Sequence, residues 1–246
     1  MKMKITIVLP TYNSIRHLEE CVRSLLGQVY DDMKILICDN GSTDGTWEYL
    51  NSLADKRVVL KQLPNIYPNS YREAFDYAFK NIETDYITFV GSDDFLDKKY
   101  ILNCSKIINN GKSEILCMQS GLSFINSDGL KTGQQIHKYA SLQDFKRLML
   151  QRSVVSTPTV IYHKSLFPHL QTMAHNHENL RVAGAGDYDM YCALADNGVF
   201  IYPVPAQLGY NYRWHEEQCT WKVQRQKAVI DYDEIIQNYW KNKWLF

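Results

Sequence analysis

An alternation in the first hundred residues constrains the fold of this chain more than any other feature. Short apolar runs at 4–9 (KITIVL), 34–38 (KILIC), 58–63 (VVLKQL) and 86–90 (YITFV) are separated by amphipathic stretches at 15–26, 47–53 and 71–79. Runs of four to six residues without strict polar alternation suit strands covered on both faces, and such strands belong to a largely parallel sheet. The class is therefore α/β. In the first amphipathic stretch Leu18, Cys21, Val22, Leu25 and Leu26 recur at three- and four-residue spacing, predicting a helix with one face on the sheet. Arg16, Glu19, Glu20 and Arg23 fall on its outer face and read as structural.

The pattern loosens after Asn109 and Gly111. A strand is expected at 115–119, a turn at 126–129, a helix at 141–150 and a further strand at 160–162. Residues 173–186 are polar, contain His175, His177, Glu178 and Arg181, and read as a loop with a substrate role. A helix over 187–195 follows, and 222–246 looks helical and rich in aromatics. The expected organisation is a single continuous domain, with 1–101 as a nucleotide-sugar half, 102–221 as an acceptor and base half, and 222–246 as a helical tail.

Composition excludes several classes. With 246 residues, 45% of them hydrophobic, the chain can bury a large core and is not disordered. Lys plus Arg and Asp plus Glu both number 27, so no net field draws the protein to nucleic acid, and no nucleic-acid partner is expected. The six cysteines (Cys21, Cys38, Cys104, Cys117, Cys192 and Cys219) show no CxxC pair and read as buried thiols. The apolar opening at 5–9 stops at Pro10, far short of the ~20 residues of a membrane helix, so a cytoplasmic location is expected.

In an open parallel sheet ligands collect beyond the carboxyl ends of the strands. The first strand runs into Pro10, Thr11, Tyr12 and Asn13, the second into Asp39, Asn40, Gly41 and Ser42, and the fourth into Gly91, Ser92, Asp93 and Asp94. Any one of these reads as turn chemistry, but three on one edge do not. Adjacent carboxylates at Asp93 and Asp94 repel, and a divalent cation such as Mn2+ or Mg2+ is the simplest counter-charge. Such ions are commonly shared with substrate phosphates, which points to a nucleotide. Residues 40–51 mimic the start of a calcium loop, but Asn51 stands where the closing Glu is required.

LPTYNS, CDNGSTDGT and GSDDFLD, in that order and spacing, resemble the nucleotide-binding half of family 2 glycosyltransferases, over about residues 4–101. The resemblance implies a GT-A fold, a Rossmann-like α/β sandwich, and inverting transfer from a UDP-sugar donor to a saccharide or lipid-linked saccharide acceptor in bacterial surface polysaccharide synthesis. It implies that Pro10, Thr11, Tyr12 and Asn13 line the nucleotide pocket, that Asp39 accepts from uracil N3, and that Arg72 contacts base or sugar. Ser92 and Asp93 would face the donor's ribose or sugar and Asp94 the metal; Gly91 stands where the family's metal motif usually has its first Asp. AGDYDMYCAL resembles the segment carrying the catalytic base, and YRWHEEQCT the loop whose His, here His215, helps hold metal and diphosphate.

Asp187 also suits the base on independent grounds, because an attacking hydroxyl must lose its proton to a nearby carboxylate or His. Asp189, two residues along the same helix, is expected to face solvent. Lys222 and Arg225 read as solvated surface, and His175 with His177 as a weak metal pair. The tail aromatics either pack on the domain or touch a membrane, which keeps peripheral contact at the inner face of the cell membrane open. Two other functions compete: a sugar-nucleotide nucleotidyltransferase, disfavoured because no Gly-rich phosphate loop follows the first strand, and an inactive nucleotide-sugar-binding protein, suggested by Gly91.

Overall fold

The computed structural model describes residues 2–65, 70–111, 114–170, 186–216, 218 and 232–244, and the main chain alone at 70–72. The expected alternation is present as β1 (Ile5–Thr11), α1 (Ile15–Leu26), β2 (Met33–Asp39), α2 (Thr46–Asn51), β3 (Val58–Gln62), α3 (Ser70–Asn81) and β4 (Tyr86–Phe89). The chain continues through β5 (Phe95–Leu96), α4 (Tyr100–Asn110), β6 (Cys117–Ser120), β7 (Leu122–Ile125), β8 (Lys131–Gln135) and α5 (Leu142–Met149). A 3-10 turn, η1 (Thr157–Thr159), leads into β9 (Ile161–His163) and a second 3-10 segment, Lys164–His169. Then come α6 (Gly186–Asp196), β10 (Ile201–Val204), β11 (Tyr210–Arg213) and α7 (Tyr232–Trp244).

Seven strands form one sheet in the order β10-β6-β9-β4-β1-β2-β3, and β5-β11-β7-β8 form a smaller one. β1, β2, β3 and β4 are mutually parallel, as are β6 and β10, whereas β9 runs antiparallel to both of its neighbours, β4 and β6. Six strands therefore end at one edge. β9 departs from the parallel expectation because η1 sits at that edge, against β4 and β6, so the chain can only run back down.

The apolar runs lack polar alternation because both faces of the sheet are covered. Ile5, Ile7 and Leu9 join a cluster with Leu18, Cys21, Val22 and Leu25 of α1, while Val8, between them, joins the cluster on the other face with Ala74, Phe75 and Phe79 of α3. Full burial of each such side chain contributes roughly 1.5–3 kcal/mol. Five cysteines, Cys21, Cys38, Cys104, Cys117 and Cys192, are buried and free, and Cys219 lies outside the described residues. α5 begins where the sequence predicts: the Ser141 side chain accepts from the Asp144 amide at 3.1 Å and caps it.

Tyr232, Trp240 and Trp244 of the tail pack on the domain, whereas Tyr239 is exposed. Trp240 donates its indole N–H to Asp189 at 2.7 Å, and Trp244 donates to Asp196 at 3.1 Å, so α7 lies on α6. Asp189 is consequently fully buried, contrary to the expectation that it faces solvent. Helix α6 has no free outer face there, because Tyr188 to Ala195 are all buried.

Candidate active site

Strand order turns around at β1, which lies between β4 and β2. The pairing of β1 with β4 stops at Val8, while its pairing with β2 continues to Thr11. The sheet thus opens on one side of β1, forming the crevice where ligands of such sheets bind. Pro10 falls in this opened stretch, where its missing N–H costs no ladder bond to β4.

On one lip of the crevice, Asn13 takes a left-handed backbone (φ 47°). Its amide donates to Ser42 Oγ and its side-chain oxygen accepts from the Thr43 amide, each at 2.9 Å, which offsets the strain and ties the end of β1 to the loop after β2. Asp39 anchors the same loop. Its Oδ1 accepts from Thr11 Oγ1 (2.9 Å) and Ser42 Oγ (2.6 Å), and its Oδ2 accepts from the amides of Gly41 (3.2 Å) and Ser42 (3.0 Å). A carboxylate has about four acceptor positions, and here all are used on a fully buried side chain. Asp39 thus stands as a loop cap, and a bond from uracil N3 requires it to release one of these donors. Thr11 is likewise turned inward, while Tyr12 and Asn13 are exposed at the rim and Pro10 is half-buried. Ser92 donates to Ser14 Oγ at 2.8 Å, linking the residues after β4 to the start of α1. The side chain of Arg72 lies outside the described residues, as do His175, His177, Glu178, Arg181, Lys222 and Arg225.

On the other lip the two adjacent aspartates diverge. Asp94 is 2% exposed and folds inward, accepting from Tyr210 OH (2.7 Å) and from the Arg213 amide (2.8 Å). Burial, reinforced by the neighbouring Asp93 charge, raises its pKa well above the usual carboxylate range. Asp93 remains partly open and accepts from or shares a proton with His215 Nε2 at 2.9 Å. This differs from the expectation that Asp94 holds the metal and Asp93 faces the sugar. Gly91 leaves room for both carboxylates, a Cβ there lying 2.7 Å from Asp94 Oδ2 and 2.9 Å from Asp93 Oδ1, while Tyr210 and the Arg213 amide of β11 draw Asp94 inward.

Arg213 braces this lip from β11. It is 2% exposed, and its guanidinium donates to the carbonyls of Asp93 (2.8 Å), Asn126 (3.2 Å) and Ser127 (2.9 Å) and to Glu20 Oε2 at 2.5 Å. Glu20 faces outward as the sequence predicts and, from the surface, supplies the counter-charge to Arg213. The ring of His17 lies 5.3 Å from that of His215, and His17 Nε2 and His215 Nδ1 are both buried without a hydrogen-bond partner.

Asp93 and His215 offer one oxygen and one nitrogen donor, and no cluster of three or more His, Cys, Asp or Glu side chains suited to a metal occurs among the described residues. Two protein donors fit a hard divalent cation that completes its shell with phosphate oxygens and water, and do not fit a closed structural site.

Asp187 opens α6. Its Oδ2 accepts from Thr157 Oγ1 at 2.6 Å and its Oδ1 from the Tyr188 amide at 2.8 Å among the described residues. Burial raises its pKa, and hydrogen bonds from Thr157, the Tyr188 amide and its own amide pull it back. The η1 turn that supplies Thr157 packs against β4, β6 and β11, so Asp187 belongs to the same sheet edge as Gly91–Asp94 and the strand leading to His215.

The glycosyl transferase family 2 model matches residues 6–170, about two thirds of the chain. The chain belongs to glycosyl transferase family 2. Among curated members of the family it is 28% identical to the chondroitin synthase of Pasteurella multocida over 198 residues, 80% of this chain and 19% of that one. It is also 28% identical to the poly(ribitol-phosphate) beta-glucosyltransferase of Bacillus spizizenii over 216 residues, 80% of this chain and 33% of that one. The chain thus spans about a fifth to a third of these family 2 relatives. The solved structure of S. aureus TarS 1-349 in complex with UDP-GlcNAc superposes with a TM-score of 0.64 at 20% identity, covering 99% of this chain and 72% of that one. Family 2 membership and this likeness agree with the mixed α/β, mostly parallel architecture, and the fold is GT-A.

Proposed function

We propose that this chain is an inverting glycosyltransferase that moves a sugar from a UDP-sugar donor to a saccharide or lipid-linked saccharide acceptor. Its setting would be bacterial surface polysaccharide synthesis, in the cytoplasm or at the inner face of the cell membrane. The observation that carries this reading is that a carboxylate, Asp187, is held by a turn that packs on β4 and β11, the strands leading to the Asp93–His215 pair. Family membership supports transfer chemistry, the curated relatives support a polysaccharide product, and the UDP-GlcNAc complex of TarS supports a uridine diphosphate donor. No helix among the described residues is long and apolar enough to cross a membrane.

The crevice between β1 and β4 receives the nucleotide, with Tyr12 and Asn13 at its rim. Asp93 and His215 would hold Mn2+ or Mg2+ against the diphosphate, and such an ion supplies several kcal/mol of stabilisation to the departing charge. Tyr210 and Arg213 keep the Gly91–Asp94 segment in position. Asp187 takes the proton of the attacking hydroxyl as its oxygen bonds to the anomeric carbon. With one base and direct displacement, configuration inverts and no covalent enzyme intermediate forms.

Release of UDP from UDP-glucose and UDP-GlcNAc, followed by product analysis, tests the reading. The Asp187→Asn variant is expected to bind UDP as the wild type does while turnover falls by about 10²–10⁴. Undiminished turnover would remove Asp187 as the base.

A further inference from the structure

The segment Ser156–Thr159 leads into β9. In the structure it is a pinned bracket. The Ser156 amide donates to Gln119 Oε1 (2.8 Å), and Thr159 Oγ1 donates to the Ser120 carbonyl (3.0 Å) and accepts from the Ser120 amide (3.2 Å), while Thr159 is fully buried. Gln119 is held in turn by Tyr139 OH at 2.7 Å and the Val154 carbonyl at 2.9 Å. Pro158 removes one further freedom by presetting its own φ. The side chain between these anchors is Thr157, and its hydroxyl donates to Asp187 Oδ2 at 2.6 Å, the length of a charge-assisted bond.

We propose that Thr157 is a positioning residue for Asp187: its hydroxyl fixes the direction in which the carboxylate presents its lone pairs and favours the ionised form needed to accept a proton. A helix start has rotational freedom at χ1 and χ2, and one bond from the Tyr188 amide leaves the second oxygen free to swing. The bond from a bracket tied to β6 removes that swing. Hydrogen bonding to the charged form lowers proton affinity, opposing burial. Tyr191, on the same helix, feels the Asp187 charge, and Tyr191 is met in turn by Tyr162 of β9, whose hydroxyl lies 2.9 Å from its own, and by Cys117 of β6. Burial raises the pKa of Tyr191 and Cys117, so both are neutral where a carboxylate titrates, and among the described residues Thr157 is the side chain that donates to Asp187.

The inference deepens the proposed activity but is tested without it. The titration of Asp187 is followed by carbon-detected NMR on the full chain labelled at the aspartate carboxyl carbon, its signal assigned by its loss in Asp187→Asn. Thr157→Val is expected to raise the midpoint by about one pH unit, and Thr157→Ser to restore the wild-type value. An unchanged midpoint in Thr157→Val, or a raised one in Thr157→Ser, overturns the proposal. Circular dichroism checks each fold; if Thr157→Val does not fold, Thr157→Ala takes its place, and failure of both makes Thr157 a structural residue and overturns the proposal as well. In parallel, the acid limb of kcat for UDP release from UDP-GlcNAc is expected to move with the midpoint while the donor KM stays constant. A moved midpoint with an unmoved limb keeps the coupling of Thr157 to Asp187 and rejects Asp187 as the base.

Discussion

Gly91, Asp93 and Asp94 show how little separates a binding carboxylate from a structural one. Asp93 and Asp94 are neighbours in sequence, yet one faces His215 and the other is closed off by Tyr210 and the Arg213 amide. Their variants should behave differently. Asp93→Ala is expected to abolish the metal dependence of UDP binding at little cost in stability, as measured by calorimetric titration with and without Mn2+. Asp94→Ala strips acceptors from two buried donors and should cost about 1–3 kcal/mol in urea unfolding. Gly91→Ala should resemble Asp94→Ala in stability, because its methyl would press on both carboxylates, and should weaken metal-dependent binding too. Sequence showed that two acids follow a buried strand, and so that a charge problem exists at this edge. It did not show which acid turns inward, because that is decided by β11, more than a hundred residues away.

Among the elements, those defined by local pattern were legible. The α1 stripe and the Ser141 cap of α5 required only near neighbours in sequence. The reversed direction of β9 was not, since it depends on where η1 lies in space, and the burial of Asp189 was not, since it depends on α7 packing over α6. A junction between elements also carries a pH signature. Arg57, at the start of β3, donates to both oxygens of Asp55 and, through Nη2, to the Leu26 carbonyl at the end of α1 at 2.8 Å. The Arg57 bonds lower the pKa of Asp55 from 3.8 to about 2. A depressed carboxylate stabilises the fold above its unfolded pKa and loses that contribution as pH falls through its folded value. Asp55→Asn is therefore expected to destabilise the protein by about 1 kcal/mol at pH 7, allowing for partial exposure, and the difference from wild type should vanish between about pH 4 and pH 2. Urea unfolding at the two ends of that range measures it.

At the level of the whole molecule, the large sheet ignores the division suggested at 101/102: β4, from the nucleotide-binding half, pairs directly with β9, and β9 with β6. The proposed ligand set ignores it too, because Asp93 precedes that division and His215 follows it. A nucleotide and cation bound at this edge would then stabilise both parts together and not one alone. At ligand concentrations about 100-fold above Kd the gain is about 2.7 kcal/mol, which for a chain of 246 residues corresponds to a rise in Tm of roughly 5–10 °C. UDP with Mn2+ is accordingly expected to raise Tm by that amount in a single transition, seen alike by near-ultraviolet and far-ultraviolet circular dichroism. EDTA or the Asp93→Ala substitution should remove the metal-dependent part of the shift. Two transitions, of which only the first responds to ligand, would show that the halves are separable and that His215 does not join Asp93 in binding.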